Sequence, residues 1–237
     1  MRHDNLLLHG LPTDVYQRIA GNLEHEPMRA GTELHHPGSE IDRFHFIASG
    51  MASLLYTTRD GHTAEVSAVG NEGGLGLTLV LGRHPLPVRA VVQVPGHAWT
   101  LRAELFQREF ARGGALQRNL LRYVQALMTQ MAQTVVCKRH HSISQQLCRW
   151  ILLALDRTLG NELETTQDTI AHMLGVRRAG VTEAAQALQA DGVIRHRRGR
   201  IAVSDRGALE ARACECYHVI RAEYDWLRGD LAGKRRA

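Results

Sequence analysis

TQDTIAHMLGVRRAGVTEAAQALQADGVIRHRRGRIAV, residues 166–203, is the stretch that decides the fold of this chain. Its first part has the apolar spacing of a helix, with Ile170, Met173 and Leu174 three and four residues apart. Thr165 or Thr166 can cap the first turn, and Gly175 follows the last apolar residue, where a left-handed residue ends many helices. These signals predict a short helix that ends in a tight turn.

A second helix is predicted directly after this turn. Its apolar stripe comprises Val181, Ala184, Ala185 and Leu188, and Asp191-Gly192 marks its end. Two short helices joined by a glycine-containing turn form a helix-turn-helix, whose second helix can enter the major groove of DNA. The alternative is an ordinary helical hairpin that packs in a globular core and binds nothing.

The arginines around the second helix favour the DNA-binding interpretation. Residues 192–203 read as two short strands around a turn, which together would form a wing. From Arg177 to Arg200 there are six arginines against Glu183 and Asp191, a local balance of +4. A solvated charged surface usually mixes its signs, so a one-sided run of this kind indicates a polyanionic partner.

Length and composition allow a sizeable core. The chain has 237 residues, is 44% hydrophobic and carries a formal net charge of +5, so it can form two domains or one large one. No apolar run approaches the ~20 residues of a membrane span, and the N-terminal apolar run is too short for a secretory signal. We therefore expect a cytoplasmic protein without a membrane partner.

The four cysteines are Cys137, Cys148, Cys214 and Cys216. No two of them have CxxC spacing, and Cys214 and Cys216 would point about 200° apart on a shared helix. The sequence therefore predicts neither a disulfide framework nor a metal centre held by cysteine.

Upstream of the helix-turn-helix the pattern changes twice. Residues 26–101 have short apolar runs and frequent Gly and Pro, and Asp60-Gly61 between two such runs is a strong hairpin signal. This predicts an antiparallel roll or barrel of about 80 residues. A long helix from about Leu116 to Lys138 follows, with an apolar stripe at Leu116, Leu120, Val124 (or Tyr123), Leu127, Met131 and Val135. The stripe predicts either a seam between two chains or a helix packed on its own barrel.

The expected fold class is α+β, with a roll at residues 1–112, a long helix at 113–140, and a winged helix-turn-helix with a helical C-terminal extension at 141–237. Residues 234–236, Lys-Arg-Arg, are expected to form a basic tail. This order resembles the CRP/FNR family of bacterial transcription regulators. Pro37 to Gly50, PGSEIDRFHFIASG, is similar to the family's barrel signature, with two glycines twelve residues apart around an aromatic strand. Residues 166–188 resemble its DNA-reading unit, including Gly175 in the turn.

The resemblance implies a homodimer joined along the long helix, with two recognition helices that enter successive major grooves of a pseudo-palindromic site. Arg178 stands where the family places a base-reading arginine, and its guanidinium suits the O6/N7 edge of guanine. Gly180 either permits close approach to DNA or is simply tolerated in the first turn, and the second interpretation is favoured. The candidate DNA-binding residues are Thr166, Gln167, Arg177, Arg178, Gly180, Thr182, Arg197 and Arg198. Transcription activation would add RNA polymerase as a partner.

The resemblance also implies an effector pocket in a cyclic-nucleotide-binding-like roll. Gly73-Gly74-Leu75 matches the Gly-Glu-Leu segment that contacts ribose in the family's nucleotide binders, but the acidic side chain is missing. The following loop, residues 83–90, has no Arg-Ser pair for the phosphate, so Arg89 is a weak candidate whose alternative is a strand or surface role. We expect an unidentified small-molecule effector other than cyclic AMP. The N-terminal cysteine cluster of the iron–sulfur members is missing, and no haem ligand can be assigned among fourteen histidines.

An enzymatic roll is the competing class. Histidines occur in the roll at positions 35, 36, 45 and 62, and roll-shaped oxygenases bind metal through His and carboxylate groups. No His-x-His pair is followed at short spacing by Glu, so we expect no metal site, no catalytic residues and no enzyme. A ligand-sensing module without DNA binding is a third class, and the arginine-rich wing argues against it.

Overall fold

A computed structural model describes residues 4–82, 87–158 and 160–231. The first part of the loop compared with a phosphate-binding pair, residues 83–86, and the basic tail at 234–236 lie outside these residues. The elements in chain order are α1 Leu6–His9, α2 Thr13–Ala20, β1 Glu24–Met28, β2 Glu33–His35, β3 Arg43–Thr57, β4 Thr63–Val69, β5 Gly74–Leu75, α3 Thr78–Leu81, β6 Arg89–Arg102, α4 Ala103–Ala111, α5 Ala115–His140, α6 Ile143–Leu155, β7 Glu162–Glu164, α7 Gln167–Leu174, α8 Arg178–Ala190, β8 Ile194–Arg197, β9 Arg200–Val203, α9 Arg206–Arg212 and α10 Glu215–Leu231. No helix among the described residues is both long and apolar enough to cross a bilayer.

The N-terminal part is an antiparallel sheet, as the sequence predicts. Its strand order is β1-β6-β3-β4, with β2 paired to β6 and β5 paired to β3. The predicted hairpin at Asp60-Gly61 joins β3 to β4, and Gly61 has φ +88°, which glycine adopts without strain. Stacked rings of Phe44 and Phe106, with centroids 4.1 Å apart, form part of its core.

The two longest strands, β3 and β6, change register where they bend around each other. Gly50 has φ +82°, and a Cβ there would lie 2.5 Å from the carbonyl oxygen of Val94. Opposite it, a Cβ on Gly96 would lie 2.1 Å from the carbonyl oxygen of Ser49. Only glycine fits such close backbone contact, so the second glycine of the Pro37–Gly50 signature is required by the bend.

Helix α5 is the long helix of the sequence prediction and has 26 residues, about 39 Å at ~1.5 Å per residue. Three residues of the predicted seam, Leu116, Leu120 and Leu127, are only 0%, 1% and 6% exposed because α5 packs on β4 and α10 of the same chain. Their assignment to a two-chain seam is therefore wrong. A neighbouring face exposes Leu121, Met128 and Val135 by 52%, 64% and 69%, and Val124 and Met131 lie half-buried on its side toward the core.

The C-terminal part contains five helices and the three-stranded sheet β7-β9-β8 within the described residues. Ser142 caps α6 in the capping box predicted with Gln145, since both reciprocal hydrogen bonds are present. Helix α10 runs antiparallel to α5, with Tyr224 bonded to Gln130 near its middle and Asp230 paired with Arg122 near its end. The helical extension is not continuous, because residues 213 and 214 separate α9 from α10.

Candidate nucleic-acid interface, effector cavity and metal-ligand cluster

The helix-turn-helix begins at Thr166. Its Oγ1 accepts a hydrogen bond from the amide of Thr169 at 3.1 Å, which satisfies one of the free N–H groups of the first turn of α7. Of the two predicted caps, Thr166 is thus the one used, and Thr165 is buried. The exposed hydroxyl of Thr166 and the N-terminus of α7 face solvent together.

The turn between the two helices depends on Gly175. Its φ and ψ of +70° and +36° are left-handed, and the amides of Gly175 and Val176 both donate to the carbonyl oxygen of Ala171, at 2.9 and 3.0 Å. Arg177 follows in extended conformation, and α8 begins at Arg178. The turn places the N-terminus of α8 beside that of α7.

Two polar contacts hold the N-termini of α7 and α8 together. Thr182 Oγ1 donates to Gln167 Oε1 at 2.7 Å, and Arg178 Nη1 lies 3.2 Å from Asp168 Oδ2. The Arg178 and Asp168 side chains are 65% and 56% exposed, so this pair is weak and can exchange for another partner. Arg177 is also exposed, and no acidic side chain of the described residues lies within ion-pair distance of it.

Gly180, in the first turn of α8, is partly exposed and also faces α6. A Cβ there would lie 2.6 Å from Cδ1 of Ile143, at the start of α6. Its lack of a side chain lets α8 pack closely on α6, while its place among the candidate DNA-binding residues stays a prediction.

The arginines of the wing divide into two groups. Arg200 lies 2.7 Å from Glu164 and 3.2 Å from Glu162, which neutralise it across the β7-β9 pair. Arg197 and Arg198 are exposed, and no acidic side chain in the described part of the chain is within ion-pair distance of them. Arg195 is exposed as well and bonds to the hydroxyl of Ser204 rather than to an acidic side chain of the described residues. The wing therefore presents three unneutralised cations.

A cavity of about 740 Å³ lies between the roll and α5. Gly74 and Leu75 line it, as expected for an effector segment, together with the aliphatic side chains Ile41, Leu54, Leu77, Leu81, Val88, Val124, Leu127, Met128, Met131 and Val135. Gly73 does not line it, because a Cβ there would lie 2.1 Å from the ring of Tyr123. The Gly73–Leu75 segment is thus partly cavity wall and partly packing against α5.

The cavity has no arginine among its described lining residues. Arg89 pairs with Glu33 at 3.1 Å on the sheet, so its weak assignment to an effector phosphate is not met and the strand role holds. Lys138 is the one lysine of the described lining, but it donates to the carbonyl oxygen of Met173 and burial lowers its pKa. Burial also lowers the pKa of His35 to about 4, which keeps that ring neutral.

A buried polar network that no sequence motif marks joins the roll to the C-terminal part. Glu72, directly before Gly73, lies 2.7 Å from the guanidinium of Arg157, which follows α6. Arg157 also donates to Gln130 of α5 at 3.2 Å, and the hydroxyl of Tyr224 in α10 donates to the same oxygen at 2.8 Å. In the sequence, the one sign of this network is that Glu72, a charged residue, directly precedes the glycine-rich effector segment.

Four metal-ligand side chains meet at the far end of α5. The ligand atoms of Cys137, His141, Cys214 and Cys216 all lie within 4.8 Å of one another. The expectation that Cys214 and Cys216 point apart is wrong, because Cys214 precedes α10 in non-helical conformation and the two do not share a helix. Cys148 is buried on α6, outside this cluster.

Comparison with known proteins agrees with this architecture. The profile "Cyclic nucleotide-binding domain" matches residues 25–112, and the profile "Crp-like helix-turn-helix domain" matches residues 145–212. The two matches together span well over half of the chain. The first ends just before α5, and the second begins just after it. None of the curated proteins compared with the chain is significantly similar to it.

Solved structures show the same fold at low identity. A Crp/Fnr-family transcriptional regulator from Eubacterium rectale has a TM-score of 0.64 at 20% identity, over 87% of this chain and 96% of that one. FixK2 from Bradyrhizobium japonicum has 0.66 at 12%, over 81% and 98%. The c-di-GMP responsive regulator CLP from Xanthomonas campestris has 0.63 at 14%, over 82% and 100%. With the sensor-type roll, the long helix and the winged helix-turn-helix in this order, the chain belongs to the CRP/FNR family of DNA-binding transcription regulators.

Proposed function

We propose that the chain acts as a homodimer that binds a pseudo-palindromic DNA site through α8. The observation that carries this is the exposed N-terminus of α8, where Arg177 and Arg178 stand beside the N-terminus of α7. In a helix-turn-helix, this end of the second helix reaches base edges while the first helix lies over the backbone. Arg178 is the base reader, because a guanidinium can make a bidentate contact with guanine.

The remaining cations and donors position the protein on the phosphates. Thr166 and Gln167 stand at the N-terminus of α7, whose free N–H groups favour an anion. Arg177, Arg197 and Arg198 supply charge without acidic neighbours in the described chain. Thr182 orients Gln167 rather than touching DNA, since its hydroxyl is bonded to that amide oxygen. Such contacts strengthen binding to every sequence and carry no base information.

The dimer seam is the exposed face of α5. Leu121, Val124, Met128, Met131 and Val135 alternate at spacings of three and four residues, which is the spacing of a two-helix coiled coil. Three of them are more than half exposed in the single chain, and side chains of this size in one stripe are unfavourable in water. A second copy of α5 covers this stripe, and the two α8 helices then face the same side of a DNA duplex.

The effector is a small, largely apolar molecule rather than a cyclic nucleotide. The volume of about 740 Å³ is within the usual range for ligand pockets, and its walls are mainly aliphatic. A phosphodiester is best held by a fixed lysine or arginine, and the one such side chain of the described lining, Lys138, is already bonded to Met173. The same reasoning argues against the dinucleotide to which the Xanthomonas regulator responds. Val124, Met128, Met131 and Val135 belong to both the cavity wall and the seam, so a partner helix would close the cavity.

Dimerisation is tested by light scattering coupled to size exclusion. Met128→Asp places a charge in the middle of the seam, so this variant should be a monomer and should bind operator DNA at least tenfold more weakly. Val219→Asp is the matched control, because Val219 is 40% exposed on α10 and lies outside the stripe. A Met128→Asp protein that stays dimeric would reject this seam.

DNA binding is tested by selecting sites from random duplexes with the purified dimer. The expected result is an enriched palindrome with half-sites about one helical turn apart, bound much more tightly than scrambled DNA. Enrichment of no sequence at low salt would reject the proposed function.

A further inference from the structure

The cluster at the end of α5 gathers its ligands from two places in the chain. Cys137 and His141 are four residues apart at the C-terminus of α5, so they project from one face. Cys214 ends the segment between α9 and α10, and Cys216 stands in the first turn of α10. Cys137 Sγ lies 3.5 Å from Cys214 Sγ, and Cys216 Sγ lies 3.6 Å from His141 Nδ1.

These separations match the edges of a small tetrahedron. With Zn–S bonds of ~2.3 Å and Zn–N bonds of ~2.0–2.1 Å, tetrahedral geometry puts the ligand atoms about 3.5–3.8 Å apart. The two measured distances fall at this value, and the full set spans no more than 4.8 Å. A polynuclear cluster would need wider spacing, because its bridging atoms stand between the ligands.

The surroundings of His141 also fit a ligand. Its Nε2 lies 3.2 Å from a carboxylate oxygen of Glu215, which favours a proton on Nε2 and leaves the lone pair of Nδ1 directed at the cysteines. Metal-bound histidines usually donate their other N–H to a carboxylate or carbonyl in this way. The sulfur ligands are closed off from solvent, since Cys137, Cys214 and Cys216 are 0%, 2% and 0% exposed.

We propose that Cys137, His141, Cys214 and Cys216 bind one mononuclear divalent ion of the Zn²⁺ type. Three cysteines and one histidine are a standard ligand set of structural zinc, and four protein ligands leave no position for a substrate. On binding, the three thiols release their protons to solvent and coordinate as thiolates.

The position of this site gives the ion a defined role. His141 directly precedes Ser142, the cap of α6, so it lies in the connection between the long helix and the C-terminal part. Cys214 and Cys216 fix the start of α10 to the same point. The ion clamps the C-terminal part to the end of α5, and its loss loosens the orientation of α8. Metal binding stands independently of the proposed function, whereas an effect on DNA affinity rests on it.

The test is metal stoichiometry of the full chain, without DNA. Protein purified under reducing conditions should contain one zinc per chain by elemental analysis. Protein refilled with Co²⁺ should show thiolate-to-cobalt charge-transfer absorption and the visible bands of a tetrahedral ion. Cys214→Ser and Cys216→Ser should each lower the affinity for Co²⁺ at least tenfold. Cys148→Ser is the matched control, a buried thiol outside the cluster that should leave stoichiometry and spectrum unchanged.

A milder variant separates ligation from folding. Glu215→Gln keeps all four ligands and an exposed position, and it should weaken metal affinity about 10–100-fold while the circular dichroism stays the same. The proposal is overturned if the reduced chain takes up no more Co²⁺ than a Cys137→Ser/Cys214→Ser/Cys216→Ser triple variant.

Discussion

Replacing Glu72 by Gln removes the carboxylate from the pair that ties the roll to the C-terminal part. Glu72 and Arg157 approach to 2.7 Å, and each side chain is only 4% exposed. Arg157 keeps its bonds to the carbonyl oxygen of Leu153 at 2.9 Å and to Gln130 at 3.2 Å, and its guanidinium stays 5.4 Å from the ring centre of Tyr224. None of these groups carries the negative charge that offsets the buried cation.

The expected cost is large because the remaining cation stays buried. Breaking one partner of a buried pair costs about 3–5 kcal/mol, whereas an exposed pair contributes about 0–1 kcal/mol. Glu164→Gln is the matched control, because Arg200 and Glu164 also approach to 2.7 Å but are 58% and 61% exposed. The two pairs have the same length, so the difference in the free energy of unfolding reports their burial together with the second partner, Glu162, that Arg200 keeps.

Urea unfolding followed by tryptophan fluorescence measures both variants. Trp99, Trp150 and Trp226 lie in β6, α6 and α10, so the roll and the C-terminal part are both observed. With a slope of about 3 kcal/mol per molar urea, Glu72→Gln should lower the midpoint by roughly 1–2 M and Glu164→Gln by a few tenths. The double variant Glu72→Leu/Arg157→Met, which buries no charge, should recover most of the loss.

Equal midpoints for Glu72→Gln and Glu164→Gln would refute the reasoning. Such a result would mean that water reaches Arg157, and a connection through this pair between the effector segment and α6 would then have no energetic basis. A double variant as unstable as Glu72→Gln would show that shape, rather than charge, sets the cost.

Arg178→Ala should cost about 1–3 kcal/mol on the cognate site and relax one base position, measured by fluorescence anisotropy; unchanged site preference would remove its base-reading role. Arg197→Ala should weaken all sequences alike and flatten the salt dependence, while Arg200→Ala, already neutralised, should do neither. Cyclic AMP should not raise DNA affinity in a gel-shift titration, and a clear rise would contradict the apolar pocket. Burial lowers the pKa of His45 to about 3, so the unfolded chain binds more protons below about pH 6.5. Stability should therefore fall as pH decreases from 6.5 toward 3, and His45→Gln should reduce this fall in urea midpoints measured across pH.

Local signals in the sequence predicted local structure well. Gly175 in the turn and Ser142 with Gln145 at the start of α6 have the conformations that their residue types predict, because caps and turns depend on a few adjacent residues. The long helix was predicted to within two residues at each end, since its apolar period persists for several turns.

The sequence did not show which face of a helix packs against which other element. Helix α5 carries two apolar stripes with the same period, and only the packing of the roll shows that the stripe with Leu120 is internal and the one with Met128 is exposed. A break at residues 213 and 214 turned Cys214 toward Cys216, although the surrounding residues have ordinary helical character. Long-range contacts such as that of Gly180 with Ile143 likewise leave no periodic trace.

The effector cavity and the dimer seam share residues, and the Glu72–Arg157 pair adjoins the glycine segment of the cavity, so the three are energetically coupled under the proposed function. Met128 and Val135 belong to the cavity and the seam, and Glu72 joins the segment before Gly74 to the end of α6. Any molecule that fills the cavity therefore changes the contacts of the partner helix as well as the support of Glu72. Coupling of this kind is reciprocal, so operator DNA must alter effector affinity by the same factor by which the effector alters DNA affinity. The effector raises DNA affinity if the filled cavity favours the arrangement in which both α8 helices match successive major grooves, and it lowers DNA affinity otherwise. That requirement makes the spacing between the two Arg178 side chains in the dimer, with and without effector, the quantity that determines whether this regulator is switched on or off.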